Sequence, residues 1–237
     1  MSLLVAIEGA DGAGKATAAG NVRNALVALG VSASVISFPR YTETVGGIAL
    51  GEFLSGRMSV PVTAKAAAVL YGLDRLESVS FVAQAAATND VVIFDRYIAS
   101  NMVYQASKVA PQDATELMHW ILRLETEMFG VTPPDLSIYL DTPLENAREL
   151  MLLKSRRSYT DRQYDEHEAD IALQRNVRRN YAIIASTGLA GPWRVVRTAL
   201  GDRLRSPQEI ASEIVDHVLG RLADRNEERQ RRTISRA

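Results

Sequence analysis

The sequence predicts an α/β fold of three layers, a five-stranded parallel sheet flanked by helices on both faces. Two observations carry that prediction. Short apolar, β-branched runs recur at residues 3–7, 33–38, 90–94, 135–140 and 193–197, with helical stretches between them, the pattern of strands covered on both sides. The first run also feeds a glycine-rich turn that opens into an alanine-rich helix, Gly9-Ala10-Asp11-Gly12-Ala13-Gly14-Lys15-Ala16-Thr17.

In chain order, Gly30 ends the first helix, and Thr88-Asn89-Asp90 and Pro133-Pro134-Asp135 punctuate the approaches to the third and fourth strands. Residues 61–87 read as one long helix opened by Pro61, with Leu70, Leu73 and Leu76 on its buried face. Trp120, in a helical run with Leu117, Ile121 and Leu124, and Trp193, at the start of the fifth strand, read as core residues. Ser206-Pro207-Gln208-Glu209 starts a final helix, with Ile210, Ile214, Val218 and Leu219 at helical spacing. Residues 1–222 are expected to form one domain with a lid segment at about 154–164, and 223–237 a charged, solvated tail.

Lys and Arg number 27 against 28 Asp and Glu among 237 residues, so no global positive field invites nucleic acid. The absence of cysteine removes disulfides, thiolate catalysis and Cys-type zinc sites, and His119 and His217 have no partners at metal-ligand spacing. Without a basic leader or a long apolar run, a cytoplasmic protein with no membrane partner is expected.

The first turn is a phosphate cradle. Glycines at 9, 12 and 14 let the backbone approach an anion, and the helix N-terminus and loop amides supply partial positive charge. Lys15 adds a full charge at the outer phosphates of a nucleotide. The spacing is G-x-x-x-x-G-K, the P-loop of nucleoside triphosphatases, but Ala16 stands where a Mg²⁺-binding hydroxyl is usual and Thr17 is one place late.

Ligands of open parallel sheets bind beyond the carboxyl ends of the strands. There the chain has Phe38-Pro39-Arg40-Tyr41, Asp95-Arg96-Tyr97 and Asp141-Thr142-Pro143. Arginines beyond the cradle imply a second anionic group facing the first, and the planar fork of Arg96 suits phosphate oxygens. Asp95 and Asp141 each end an apolar run, as a metal-binding carboxylate does; Asp95 is preferred for its neighbour Arg96, while Asp141 also suits a helix cap. Asp11, an acid inside an anion site, points to a metal or a partner arginine. Arg156, Arg157 and Arg162 lie in a basic stretch that reads either as a solvated loop or as a lid closing over a transferring phosphoryl group.

Together these residues resemble the thymidylate kinase family over most of the chain. Glu8 to Lys15 is similar to that family's phosphate loop, which implies active-site roles for Asp11 and Lys15. Phe38-Pro39-Arg40-Tyr41 resembles its acceptor segment, and Tyr71-Gly72-Leu73-Asp74-Arg75 its aromatic-x-x-Asp-Arg helix, implying that Tyr71 stacks on thymine and Arg75 bonds the base. Asp95-Arg96-Tyr97 with Ser100, Asn101 and Tyr104 resembles the stretch in which an arginine holds the acceptor phosphate. There an asparagine reads the base and a tyrosine occupies the place of a ribose 2′-OH. Asp165, Glu168, Leu173-Gln174 and Tyr181 resemble the helix after the lid. Ala16, Tyr71 in place of Phe, and His167 in place of an aromatic depart from the family pattern.

The resemblance implies ATP-dependent phosphorylation of thymidine 5′-monophosphate (dTMP) with Mg²⁺ held by Asp11, the acceptor phosphate and water, Asp95 being added by its place at a strand end, and a homodimer packed through helices, which the apolar stretches at 63–87 and 99–122 could supply. Two other readings stay open. A deoxynucleoside kinase would use Glu8 as its base; a non-catalytic nucleotide-binding protein would explain Ala16.

Overall fold

Five apolar runs become strands because helices cover both faces of the sheet they form. β1 (Leu3–Glu8), β2 (Ala33–Ser37), β3 (Val91–Asp95), β4 (Leu136–Asp141) and β5 (Trp193–Arg197) pair in parallel in the order β2-β3-β1-β4-β5. The computed structural model describes residues 2–157, 171–201 and 203–234. Every residue of β1 is buried. Its side chains alternate between two cores, as a strand's period of two requires.

Leu3, Val5 and Ile7 pack with Val22 and Leu26 of α1 (Lys15–Ala28) and Ile214 and Val218 of α9 (Pro207–Ile234). Leu4 and Ala6 face Phe94, Tyr139 and the opposite helical layer. That layer includes α3 (Ala64–Glu77), α5 (Ile98–Ala106), α6 (Pro111–Arg123) and α8 (Ile171–Thr187), while α2 (Val45–Leu54), α4 (Val79–Thr88) and α7 (Leu144–Arg157) complete the helices described. Because β1 lies between β3 and β4, the chain reverses direction across the sheet at β1, and its carboxyl end opens the crevice where ligands bind in such sheets.

The single helix expected over 61–87 is two helices. The Thr63 hydroxyl accepts from Ala66 N at 3.2 Å, so the helix starts at Ala64, beyond Pro61. At the other end the Ser78 hydroxyl bonds back to Asp74 O at 2.8 Å, and the path turns there into α4. Nor do the leucines form the buried face: Leu76 is 37% exposed, and the buried positions are Ala67, Ala68, Gly72, Asp74 and Arg75. Small residues win because neighbouring chain comes too close for leucine. A Cβ on Gly72 would lie 2.9 Å from the Phe129 ring, and one on Gly46 of α2 would lie 2.4 Å from Asp74 N.

Sequence reading also missed α2, the π-helical turn Leu124–Met128 that ends α6, and a small antiparallel hairpin of β6 (Ala199–Leu200) and β7 (Arg203–Leu204). The start read at Ser206 is a capping box: Ser206 Oγ accepts from Glu209 N at 3.2 Å, and Glu209 accepts from Ser206 N at 2.7 Å. α9 then runs through residues 223–234 of the segment expected as a tail. Arg225 donates to Ser2 O at 2.7 Å and to the Asp135 carboxylate at 2.8 Å, which also accepts from Leu4 N at 2.8 Å. Arg225→Met should therefore lower unfolding free energy by about 1–2 kcal/mol in a urea titration; unchanged stability would mean that this end of α9 contributes nothing to the fold.

Candidate active site

The cradle forms where β1 meets α1. Gly14, at φ 85°, is the residue before the helix, and Gly12 sits at φ 76°, conformations that a side chain disfavours. Gly12 has a second constraint, since a Cβ there would fall 2.1 Å from Ala147 O of α7. Lys15 curls back over the loop and donates to Gly9 O at 3.0 Å and Ala10 O at 2.7 Å. Burial, then the nearby Arg96, pull its ammonium down to about 7, against the opposing pull of Asp11, Asp95 and Glu8.

Asp11 stands at the centre. One carboxylate oxygen pairs with the Arg96 guanidinium and the other accepts from Gln174 Nε2 at 2.8 Å, while Gln174 Oε1 accepts from Asp11 N at 3.3 Å. Burial alone would raise this carboxyl, but Arg96 and Lys15 outweigh it and hold it at about 2. Arg96 adopts φ 67°, a left-handed conformation uncommon for arginine, with its amide bonded to Ile7 O at 3.1 Å. Its guanidinium carbon lies 5.3 Å from the centre of the Tyr104 ring, and the buried Tyr104 hydroxyl sits beside Asp11 and Arg96 with none of the hydrogen bonds described.

Two further groups adjoin this one. Arg40 is fixed through its backbone: its amide donates to Asp74 Oδ2 at 3.0 Å, while Nη1 donates to Ser78 Oγ at 3.1 Å and the guanidinium lies 4.2 Å from the centre of the Phe81 ring. Arg75 and Asn101 converge on a fully buried acid, Glu125: Arg75 Nε and Nη2 donate to its two oxygens, the latter at 2.6 Å, and Asn101 Nδ2 donates at 2.8 Å. Burial would lower the pKa of Arg75, and Glu125 reverses this and raises it. Tyr71 is half-buried one helical turn before Arg75, Tyr41 is 45% exposed, and Phe38 is buried against Phe94 and Tyr97 beyond a cis peptide to Pro39.

Thus Asp11, Lys15, Arg96 and Tyr104 share one cluster, and Asp95 acts on Lys15. Arg40 hydrogen-bonds elsewhere, to Ser78, and does not join the Asp11–Arg96 pair among the described hydrogen bonds. Asp141 is not free: its carboxylate pairs with Arg178 at 2.9 Å. Ala16 and Thr17 are exposed on the first turn of α1. Arg156 and Arg157 end α7, where only their backbone is described, while Arg162, Asp165, His167 and Glu168 lie outside the described residues. No group of three or more potential metal-ligating side chains occurs among the described residues.

Comparison with known proteins decides the family. The sequence profile named Thymidylate kinase matches residues 7–190. The chain belongs to the thymidylate kinase family. It is 35% identical over 195 residues to a thymidylate kinase of Mycobacterium tuberculosis (strain CDC 1551 / Oshkosh), covering 82% of this chain and 91% of that one. It is 31% identical over 223 residues to a thymidylate kinase of Synechococcus sp. (strain JA-3-3Ab), covering 93% and 97%. A thymidylate kinase structure from Candida albicans, 20% identical, shares the fold with a TM-score of 0.66 over 92% of each chain.

Sequence reasoning missed Gln174 as the partner of Asp11, Asp74 as the anchor of Arg40, and Glu125. A signal existed for the last: Met118, Ile121 and Glu125 follow helical spacing, so an acid occupies an inward position of an apolar face. Glu8 is also unlike the expectation for a base. Fully buried, its carboxylate accepts from Tyr97 N at 2.8 Å, Ser100 N at 3.3 Å, Ser100 Oγ at 2.6 Å and Tyr181 OH at 2.9 Å. Glu8→Ala should cost about 3 kcal/mol or more by chemical denaturation, because it strands several buried donors; a cost near zero would reopen a role for Glu8 as a free base.

Proposed function

We propose that the chain transfers the γ-phosphoryl group of ATP to the phosphate of dTMP, giving dTDP. The observation that carries this reading is the Asp11–Arg96 pair beside Lys15, which brings a second cation to the lip of a phosphate cradle. A nucleoside acceptor offers Arg96 no phosphate and needs a base, and Glu8 is committed to four donors. A non-catalytic protein has no use for an acceptor-side cation.

In this reading Lys15 exchanges its loop carbonyls for the outer phosphates of ATP, and the loop amides hold the donor in place. Arg96 draws the dTMP phosphate into line, with Arg40 in support. The acceptor oxygen is anionic near neutral pH, a phosphomonoester having its second pKa near 6, so alignment and charge stabilisation suffice. Tyr71 stacks on the base, Arg75 and Asn101 bond its edge, and Tyr104 fills the space of a 2′-OH. One of Arg156, Arg157 and Arg162 covers the charge that develops on the transferring group.

The donor set fits Mg²⁺, which takes one or two carboxylates and leaves its other positions to phosphate and water. Asp95, whose carboxylate accepts no hydrogen bond among those described, is the residue to hold it. Asp11 is less suited than expected, because its oxygens already serve Arg96 and Gln174. When bound, the metal would neutralise phosphate charge.

We further propose one kinase domain over 1–222 with a lid at about 154–164, followed by a charged segment at 223–237, in a cytoplasmic homodimer that engages neither nucleic acid nor membrane. Val69, Leu76 and Val79 are exposed and suit the dimer contact, whereas α5 is spent on the chain's own core. No described helix is long and apolar enough to cross a membrane.

A coupled assay offering thymidine and dTMP in parallel tests the reaction. Turnover is expected with dTMP, and turnover with thymidine alone would overturn the proposal. Arg96→Ala should lower kcat/KM for dTMP by about 10³-fold or more. ATP binding should also be linked to pH. Lys15, near 7 when the site is empty, rises when it meets phosphate, so binding takes up a proton above pH 7 and affinity falls as pH rises from 7 towards 9. Calorimetry at pH 8 in buffers of different ionisation enthalpy should find an uptake approaching one proton, absent in Lys15→Arg; no uptake in the unsubstituted protein would show that Lys15 is already charged before ATP arrives.

A further inference from the structure

Glu125 does more than neutralise Arg75. We propose that it determines which pyrimidine the chain accepts, by fixing the orientation of the Asn101 amide; the inference rests on the reading that Arg75 and Asn101 face the acceptor base. Asn101 Nδ2 carries two hydrogens and spends both, one on Glu125 Oε1 at 2.8 Å and one on Ala68 O at 3.0 Å. Both partners are acceptors only, so the flipped amide would set oxygen against two oxygens. Asn101 Oδ1 is consequently held in the other direction, where it is buried and has no hydrogen-bond partner among the described residues, an acceptor awaiting a donor.

Arg75 is constrained by the same carboxylate. Its Nε and Nη2 are engaged by Glu125, and its Nη1 makes none of the described hydrogen bonds. Glu125 therefore leaves one acceptor on Asn101 and one donor on Arg75 unspent, on two side chains bridged through its own Oε1. An imide edge, N3–H beside O4, complements that pair and is what thymine and uracil present. Cytosine presents the reverse, a bare N3 beside an amino group, and would put acceptor against Asn101 Oδ1 and donor against Arg75.

The scaffold holding Glu125 is specific. It lies in the π-helical turn, where its carbonyl accepts from Val131 N at 2.8 Å, and Gly72 leaves room for the Phe129 ring that follows this turn to pack against α3. Such turns are rare and concentrate at functional positions. The acid acts on the substrate only through Arg75 and Asn101, so it is a positioning residue.

The test compares kcat/KM and Kd for dTMP and dCMP in the unsubstituted protein, Glu125→Asp and Glu125→Gln. Glutamine keeps the shape but offers an amino group in place of one acceptor. With its oxygen on Arg75 Nε, that amino group faces Arg75 Nη2 and Asn101 Nδ2 alike, donor against donor, and Asn101 loses the acceptor that fixes its amide. Glu125→Gln should reduce the dTMP/dCMP ratio by about 10²-fold, and Glu125→Asp, still an acceptor only, should keep the ratio near that of the unsubstituted protein. In an Asn101→Ala background the effect of Glu125→Gln on the ratio should vanish. Equal losses on both nucleotides would overturn the proposal and leave Glu125 a purely structural residue.

One arm needs no variant. In the unsubstituted protein the Asn101 side-chain NH₂ resonances should be protected from exchange and scarcely move when dTMP binds, because their partners are within the protein; engagement of those protons by the base would refute the assigned orientation. If the unsubstituted protein phosphorylates no dTMP, it is the proposed function that has failed; if it does and the ratio stays fixed across the variants, only this inference has.

Discussion

The Asp11 carboxylate ties together three stretches of chain that are remote in sequence: the phosphate loop, the turn after β3 through Arg96, and α8 through Gln174. Its position has an electrostatic logic. Lys15 and Arg96 would repel one another in a site from which water is largely excluded, and the acid between them offsets that repulsion. A buried ion pair of this kind adds little net stability once desolvation is counted, and is better understood as fixing geometry. What it fixes is the distance between Lys15 and Arg96, the two cations that the proposed function assigns to donor and acceptor.

The same device recurs. Glu8 gathers the N-terminus of α5 and the Tyr181 hydroxyl, Asp74 holds the Arg40 amide and the Thr44 hydroxyl, and Asp135 joins the beginning of β1 to Arg225 of α9. In each case a carboxylate accepts from a backbone amide and from a side chain far away along the chain. Buried donors at strand and helix ends must find acceptors, and one acid that satisfies two or three of them also orders the loops to which they belong. The crevice is thus shaped by anions although its substrates are anions.

The layers of the fold and the place of the site were readable from the sequence because they depend on local pattern. Strand runs, the glycine spacing of the cradle and the arginine after β3 are short-range signals, and each stands where expected. The break at Ser78, the small-residue face of α3 and the partners of Asp11 and Arg75 were not readable. They arise from contacts between distant segments: Gln174 is 163 positions from Asp11, and Glu125 is 50 from Arg75. A close approach such as that of Gly72 to Phe129 likewise leaves no periodic trace, so leucines at helical spacing misdirect the reading of which face is buried.

The saturation of Glu8 also bears on descent. Related phosphotransfer chemistries on sugar hydroxyls need a free base at the end of the first strand, yet here that acid is shared among Tyr97, Ser100 and Tyr181. No single substitution releases it, because whichever donor is removed leaves the others in place. A lineage changing its acceptor from monophosphate to nucleoside would have to alter α5 and α8 together, and each intermediate would carry an unpaired polar group in its interior. The hydrogen-bond network therefore acts as an epistatic lock on the choice of acceptor.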